Sequence, residues 1–177
     1  LELGDGWVER DGSILAPARL GGLQRVVVAG DLPVSGLSRA GSVAMTSVRV
    51  EAGEPIMNID VDEKTIPQES GLVPASVSFT KGCYLGQELV ARIDSRGHVN
   101  RHLRGIVMTT NVLPPDGAEV WSDDRMCGTL TSVSESLGVM APIALCLLRR
   151  EVEPGTEVEV RWPGGSTPAI ARELPLV

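Results

Sequence analysis

The residues of this chain best suited to chemistry stand together in "KGCYLGQE" at 81–88. Cys83 follows Lys81 and Gly82, and Tyr84, Leu85, Gly86, Gln87 and Glu88 complete the run. A helix is expected to begin near Gly86, which sets the thiol just before a first turn. Unpaired backbone N–H groups and the positive end of a helix dipole favour a thiolate at such a place. Lys81 adds to that effect if its ammonium turns inward. These are the conditions that make a cysteine nucleophilic, redox-sensitive or metal-binding. Gly82 and Gly86 permit tight backbone geometry or the close approach of a ligand. Glu88 suits the first helical turn, where a carboxylate meets the dipole, and a helix-end role accounts for it. Cysteine also behaves as a small hydrophobe and is often simply buried. The local pattern therefore leaves a working thiol and a core filler equally open.

The other candidates carry less. Cys127 and Cys146 lie in strand-like apolar runs and are expected in the core. Three cysteines leave at least one unpaired, and with no sign of export all three read as reduced thiols of the cytoplasm. There is no C-x-x-C, and the His98/His102 pair lacks the glutamate of a zinc protease motif, so no metal is expected. Arg92, Arg96, Arg101 and Arg104 form the most positive local stretch. It suits a phosphate, a glutamate-bearing ligand or an acidic partner, and an ordinary solvated face equally well. A Walker loop, a dinucleotide fingerprint and a G-x-S-x-G elbow are all missing from the sequence.

These residues need elements to hold them. The chain has 177 residues, enough for one large or two small domains. Aromatics make up 3%, so aliphatic side chains must fill the interior. A net charge of −7 argues against a general nucleic-acid coat, and no direct DNA binding is expected. No apolar run is long enough to span a bilayer, and the opening residues lack the regions of a signal peptide.

"LQRVVVA" at 23–29 reads as a strand. A helix is expected from an N-cap at Ser38 to before Gly53, with Ala40, Val43, Ala44, Ser47 and Val48 on one face. Residues 54–72 read as irregular, "ASVSF" at 75–79 as a strand, and "GQELVARI" as a helix. From about residue 102 the pattern changes to short strand-like runs: "RHLRGIVM", "AEVWS", "CGTLTSVS", "PIALCLLRR", "TEVEVRW" and "TPAIARE". Pro-Gly and Asp-Asp turn signals separate them. Such spacing predicts a small antiparallel barrel or sandwich.

"KGCYLGQE" resembles the signature of the YgfZ family, folate-binding relatives of the glycine cleavage T-protein, an aminomethyltransferase. Upstream, "VRVEAGEPIMNIDVDEKTIPQESGL" at 48–72 is similar to the same family's Arg-x-Glu-Ala-Gly-x-Pro segment and Asp-rich stretch. "ARIDSRGHVNRHLRGIVM" and "GTLTSVSESLGVMAPIALCLLRRE" resemble its passage into, and strands of, a C-terminal barrel. The resemblance implies an α+β, partial T-protein-like fold, a ferredoxin-like α/β module followed by a small antiparallel β-barrel. It implies a folate-binding-type domain over 1–101, truncated at its N-terminus, and a barrel domain over 102–177.

It further implies a tetrahydrofolate-binding accessory protein for iron–sulfur cluster assembly or repair. Such a protein has cluster clients or assembly proteins as partners and supports tRNA-modifying enzymes. The family's functional cysteine maps onto Cys83, within the motif residues Lys81, Gly82, Tyr84, Gly86, Gln87 and Glu88. Arg49 and Glu51 lie in the segment that approaches the folate channel, or else form a buried structural ion pair. Two alternatives remain: folate-dependent aminomethyl transfer, and a non-catalytic fragment whose exposed apolar surface favours self-association. T-proteins carry an Arg-Asp pair where this sequence has Met45-Thr46.

Overall fold

The computed structural model describes residues 6–20, 23–31 and 35–177. Its first element is a three-stranded antiparallel sheet of β1 (Val8–Arg10), β2 (Ser13–Leu20) and β3 (Leu23–Ala29), in that order. Asp11 and Gly12 join β1 to β2 with φ of 50° and 74°. Positive φ at both central residues is the turn whose twist suits a two-residue hairpin. Of the strands, β3 is the one the sequence predicts. Pro17, which ordinarily argues against a strand, sits inside β2 opposite Val26. Val26, Val27 and Val28 are 42%, 48% and 37% exposed. Successive strand residues point to opposite faces, so both faces of β3 are open there.

Helix α1 runs over Ser42–Ala52. It starts later than expected, with Gly41 rather than Ser38 at the N-cap, and the small-residue face is not the buried one. Arg49, Val50 and Glu51 are buried, whereas Val43 is 78% exposed. The reason is tertiary: α1 packs on barrel strands, and its last turn makes the deepest contacts. Gly53 ends the helix with φ 73°. Its N–H bonds to the Val50 carbonyl and that of Glu54 to the Arg49 carbonyl, both at 3.1 Å. A left-handed cap of this kind favours glycine.

Residues 54–72 are irregular, as expected, and lead to a short helix α2 (Val73–Ser76). The predicted strand at 75–79 is therefore wrong. Pro74 occupies the start of α2, where its missing N–H costs nothing, and the chain closes one turn before extending at Val77. Helix α3 (Gln87–Arg96) forms where "GQELVARI" predicts it.

The remainder is a closed antiparallel barrel, and each predicted strand is present. The strands are β4 (Arg101–Met108), β5 (Glu119–Ser122), β6 (Arg125–Ser136), β7 (Ala141–Arg149), β8 (Glu157–Trp162) and β9 (Gly165–Arg172). Their order around the wall is β4-β7-β6-β5-β8-β9, with β9 pairing back to β4. In β8, Val158 and Val160 point inward while Glu157, Glu159 and Arg161 point out, as its alternation requires. Strand β7 is buried on both faces. Ala144, Cys146 and Leu148 fill the interior with Ile106, Leu130 and Val160. Ile143 and Leu145 face outward into a second cluster with Val50 of α1, Leu103 of β4, and Leu174 and Leu176 of the final segment. Packing is tight: a Cβ on Gly128 would stand 2.5 Å from the Cys146 sulfur. The α+β architecture with an antiparallel barrel is the one the sequence implies.

Candidate functional site

Cys83 is exposed, which decides between the two readings of its environment: it is not a core filler. It stands outside the barrel, on the loop that enters α3. Gly86 is the N-cap residue, with φ 84°, and Gln87 is the first helical residue. Cys83 is thus a full turn's worth of residues ahead of the helix, and a dipole's influence falls off within one turn. The loop is organised locally. Gln87 Oε1 accepts from the Tyr84 N–H at 3.1 Å, and the Gln87 N–H donates to the Tyr84 carbonyl at 3.3 Å. Lys81 lies 5.0 Å from the centroid of the Tyr84 ring, a cation–π contact. Its ammonium is engaged there. Gly82 and Glu88 are exposed. Phe79, Leu85 and Leu89 are exposed as well, so the thiol sits amid apolar side chains facing solvent.

The ledge bearing Cys83 is tied to the barrel through a few polar links. Gln68 Nε2 donates to the Val90 carbonyl of α3 at 2.8 Å. Next to it, Glu69 receives Arg101 Nε and Nη2 at 3.2 and 3.0 Å, and its own carbonyl accepts from the Leu103 N–H at 2.7 Å. Beside that carboxylate the Arg101 guanidinium is held above its ordinary value, against a smaller opposing effect of burial. Sequence reasoning did not single out Gln68 or Glu69. Their signal was the "PQE" of the irregular segment.

Arg49 and Glu51 do not pair with each other. Arg49, 7% exposed, donates from Nη1 to Asp60 Oδ2 at 2.7 Å and to the Glu54 carbonyl at 2.8 Å, and from Nη2 to Ser132 Oγ at 2.6 Å. Asp60, 2% exposed, also receives the Ser132 and Thr131 hydroxyls at 2.7 and 2.6 Å and the Ile56 N–H at 2.9 Å. Every charge in this buried group has a partner, the condition under which a buried ion pair is tolerated. Glu51 instead accepts the Ser136 hydroxyl. Both residues of the motif are thereby spent on β6, as anchors of α1. The ion pair between them, one of the two alternatives, does not form, because neighbours two apart on a helix diverge.

The basic stretch is broken up in the same way. Arg101 is taken by Glu69, and Arg104 donates to Glu173 at 3.0 Å. His98 is exposed. His102 is half-buried, and burial, followed by the Arg104 charge, pushes its imidazole below its usual value. Arg92 lies on the exposed side of α3, and the Arg96 side chain lies outside the described residues. Among the described residues no group of three or more His, Cys, Asp or Glu is arranged to hold a metal. Cys127 and Cys146 are buried, as expected, and burial pushes the Cys146 thiol far up. Among the described residues no helix is long and apolar enough to cross a membrane.

Residues 101–177 match the glycine cleavage T-protein C-terminal barrel domain. An aminomethyltransferase of Chlorobium luteolum is 30% identical over 144 residues, 80% of this chain and 39% of that protein. The tRNA-modifying protein YgfZ of Pectobacterium carotovorum is 35% identical over 91 residues, covering 49% of this chain and 27% of the relative. Human mitochondrial dimethylglycine dehydrogenase is 26% identical over 80% of this chain and 16% of its own length. The crystal structure of the glycine cleavage system aminomethyltransferase T from Bartonella henselae has the same fold, with a TM-score of 0.65. That likeness covers 76% of this chain and 38% of that one at 22% identity. The chain thus spans about two fifths of the length of the aminomethyltransferases it matches. The YgfZ likeness is the shorter of the two.

Proposed function

We propose that this chain is part of a T-protein-like, tetrahydrofolate-binding accessory protein whose Cys83 thiol serves iron–sulfur cluster assembly or repair. In that role it supports iron–sulfur enzymes, tRNA-modifying enzymes among them. The observation that carries the reading is the exposed Cys83 inside "KGCYLGQE", set on a ledge apart from the core. The likeness to a tRNA-modifying protein YgfZ supports it. A thiol held in the open, among exposed apolar side chains, suits transient contact with a client. The cysteines kept in the barrel do not.

Calorimetric titration of tetrahydrofolate into this chain, with Cys83→Ala alongside, tests the reading. Saturable binding that survives the substitution is the expected result, because the thiol and the folate site serve separate steps. Loss of binding in Cys83→Ala would assign the thiol to the ligand site instead and remove the accessory role proposed for it. A second reading, aminomethyl transfer to folate, is favoured by the longer alignment with aminomethyltransferases. It demands a one-carbon folate product from an aminomethyl donor, which chromatography of the reaction mixture detects. No product over many turnovers' worth of time would eliminate it.

A further inference from the structure

Arg101 of β4 and Arg149 of β7 are Cα partners in the antiparallel register. Like charges set directly opposite on a sheet repel and cost stability. Arg101 is held by Glu69, which takes its Nε and Nη2. That grip leaves the Nη1 edge, since a guanidinium carries five N–H donors in a fixed fork. Arg149 is exposed and has no hydrogen bond or ion pair from its side chain among the described residues. Among the described residues no carboxylate forms an ion pair with it.

Both arginines line one cavity of about 390 Å³ on the barrel surface, together with Asn100, Thr129 and Thr131. Thr131 spends its hydroxyl on Asp60, and Asp60 in turn is neutralised by Arg49. The Asn100 amide and the Thr129 hydroxyl have no partners among the described residues. A second cavity of about 250 Å³ shares Arg101 and Leu147 and extends along residues 58–62. Unspent donors therefore collect around one uncompensated positive charge, that of Arg149, and the free edge of Arg101, with room beside them for an organic group.

We propose that the Arg101–Arg149 cavity binds a small phosphate-bearing ligand. Its phosphoryl oxygens supply the counter-charge that Arg149 lacks and accept from the edge of Arg101 that Glu69 leaves free. A phosphate has enough oxygens to accept from both guanidinium groups and from Asn100 or Thr129 together, whereas a carboxylate has two. Arginine forks recognise this geometry well. Glu69 acts as a positioning residue by fixing the Arg101 plane. The inference is independent of the folate reading, which uses neither arginine.

The test titrates inorganic phosphate, phenyl phosphate and glutarate into the chain at low ionic strength, followed by calorimetry and by amide NMR. Phosphate and phenyl phosphate should saturate, with shifts centred on Asn100, Thr129 and Arg149. Arg149→Ala should weaken both by about tenfold or more, as loss of a charge-assisted contact implies, and Arg149→Lys should retain part of the affinity. Without ligand, Arg149→Ala should melt no lower than the parent, because it relieves the repulsion. Phosphate should raise the Tm of the parent and not that of the variant. Non-saturable shifts, or equal affinity in Arg149→Ala, would overturn the site. Tighter binding of glutarate would overturn the assignment to phosphate.

Discussion

The barrel and the chain before it bury their residues by different means. The barrel closes on itself: its six strands satisfy one another's edges, and Ile106, Val120, Leu148 and Val160 are fully enclosed. The earlier segments bury polar residues, and do so by borrowing from the barrel. Arg49, Glu51 and Glu69 find partners in Ser132, Ser136 and Arg101. Their own apolar residues at Val26–Val28, Phe79, Leu85 and Leu89 stay in solvent. Packing dominates in one region, while hydrogen-bonded ties, together with Val50 of α1 packed on the barrel, position the other. Segments with few buried apolar contacts open locally at low cost. The candidate thiol belongs to that kind of segment.

The contrast can be broken at its joint. Asp60→Ala strands the buried Arg49 guanidinium and should cost about 3–5 kcal/mol in urea unfolding. A cost near zero would mean that the earlier segments do not depend on the barrel as described. Leu148→Ala, inside the barrel, should cost about 2–5 kcal/mol through lost burial and the cavity left behind. The fall in urea midpoint checks it, and a fall comparable to that of a surface variant would deny that the interior is the stable unit.

Alkylation sharpens the comparison without disturbing the fold. Cys83 should react with iodoacetamide in the native state, whereas Cys127 and Cys146 should wait for unfolding; peptide mass spectrometry locates the label. Early labelling of Cys146 would show that the barrel breathes. A smaller effect concerns His102. The unfolded chain takes up a proton near pH 6.5 and the folded chain does so only below that. The stability His102 contributes is therefore whole above pH 6.5 and is lost as pH falls through the folded value. Between pH 7.5 and 5 the parent should lose more Tm than His102→Gln. Smallest of all, Val27→Ala on the open sheet should stay within ~0.5 kcal/mol. A larger loss would reveal a cover over that face.

What was legible in the sequence follows the same division. The barrel strands could be read because each alternates or turns on its own signal, as "TEVEVRW" and Pro163-Gly164 do. Helix α3 could be read from its helical period. The ring order could not, since nothing local tells β4 to pair with β7 and β9. Strands β1 and β2 were hidden by Pro17, although Asp11-Gly12 was a usable hairpin signal. At 75–79 the β-branched and aromatic residues suggested a strand, but Pro74 begins a helical turn just ahead. Asp60 was lost among the carboxylates of the irregular segment because its value lies in Arg49 and Ser132, and Ser132 is far away along the chain. The fold's local parts were visible, and its long-range polar ties were not.

The seam between β4 and β9 has a consequence in time. A ribosome makes the chain from one end, and the barrel cannot close until residues 165–172 have emerged to meet 105–108. At roughly 5–20 residues per second, the edge of β4 waits several seconds for its partner. Arg49 and Asp60 wait longer, since Ser132 follows them by 83 and 72 residues, and they stay hydrated until then. Cys83 is made before any of the strands that will carry its ledge. It is an open thiol on the nascent chain and stays open once the barrel has closed.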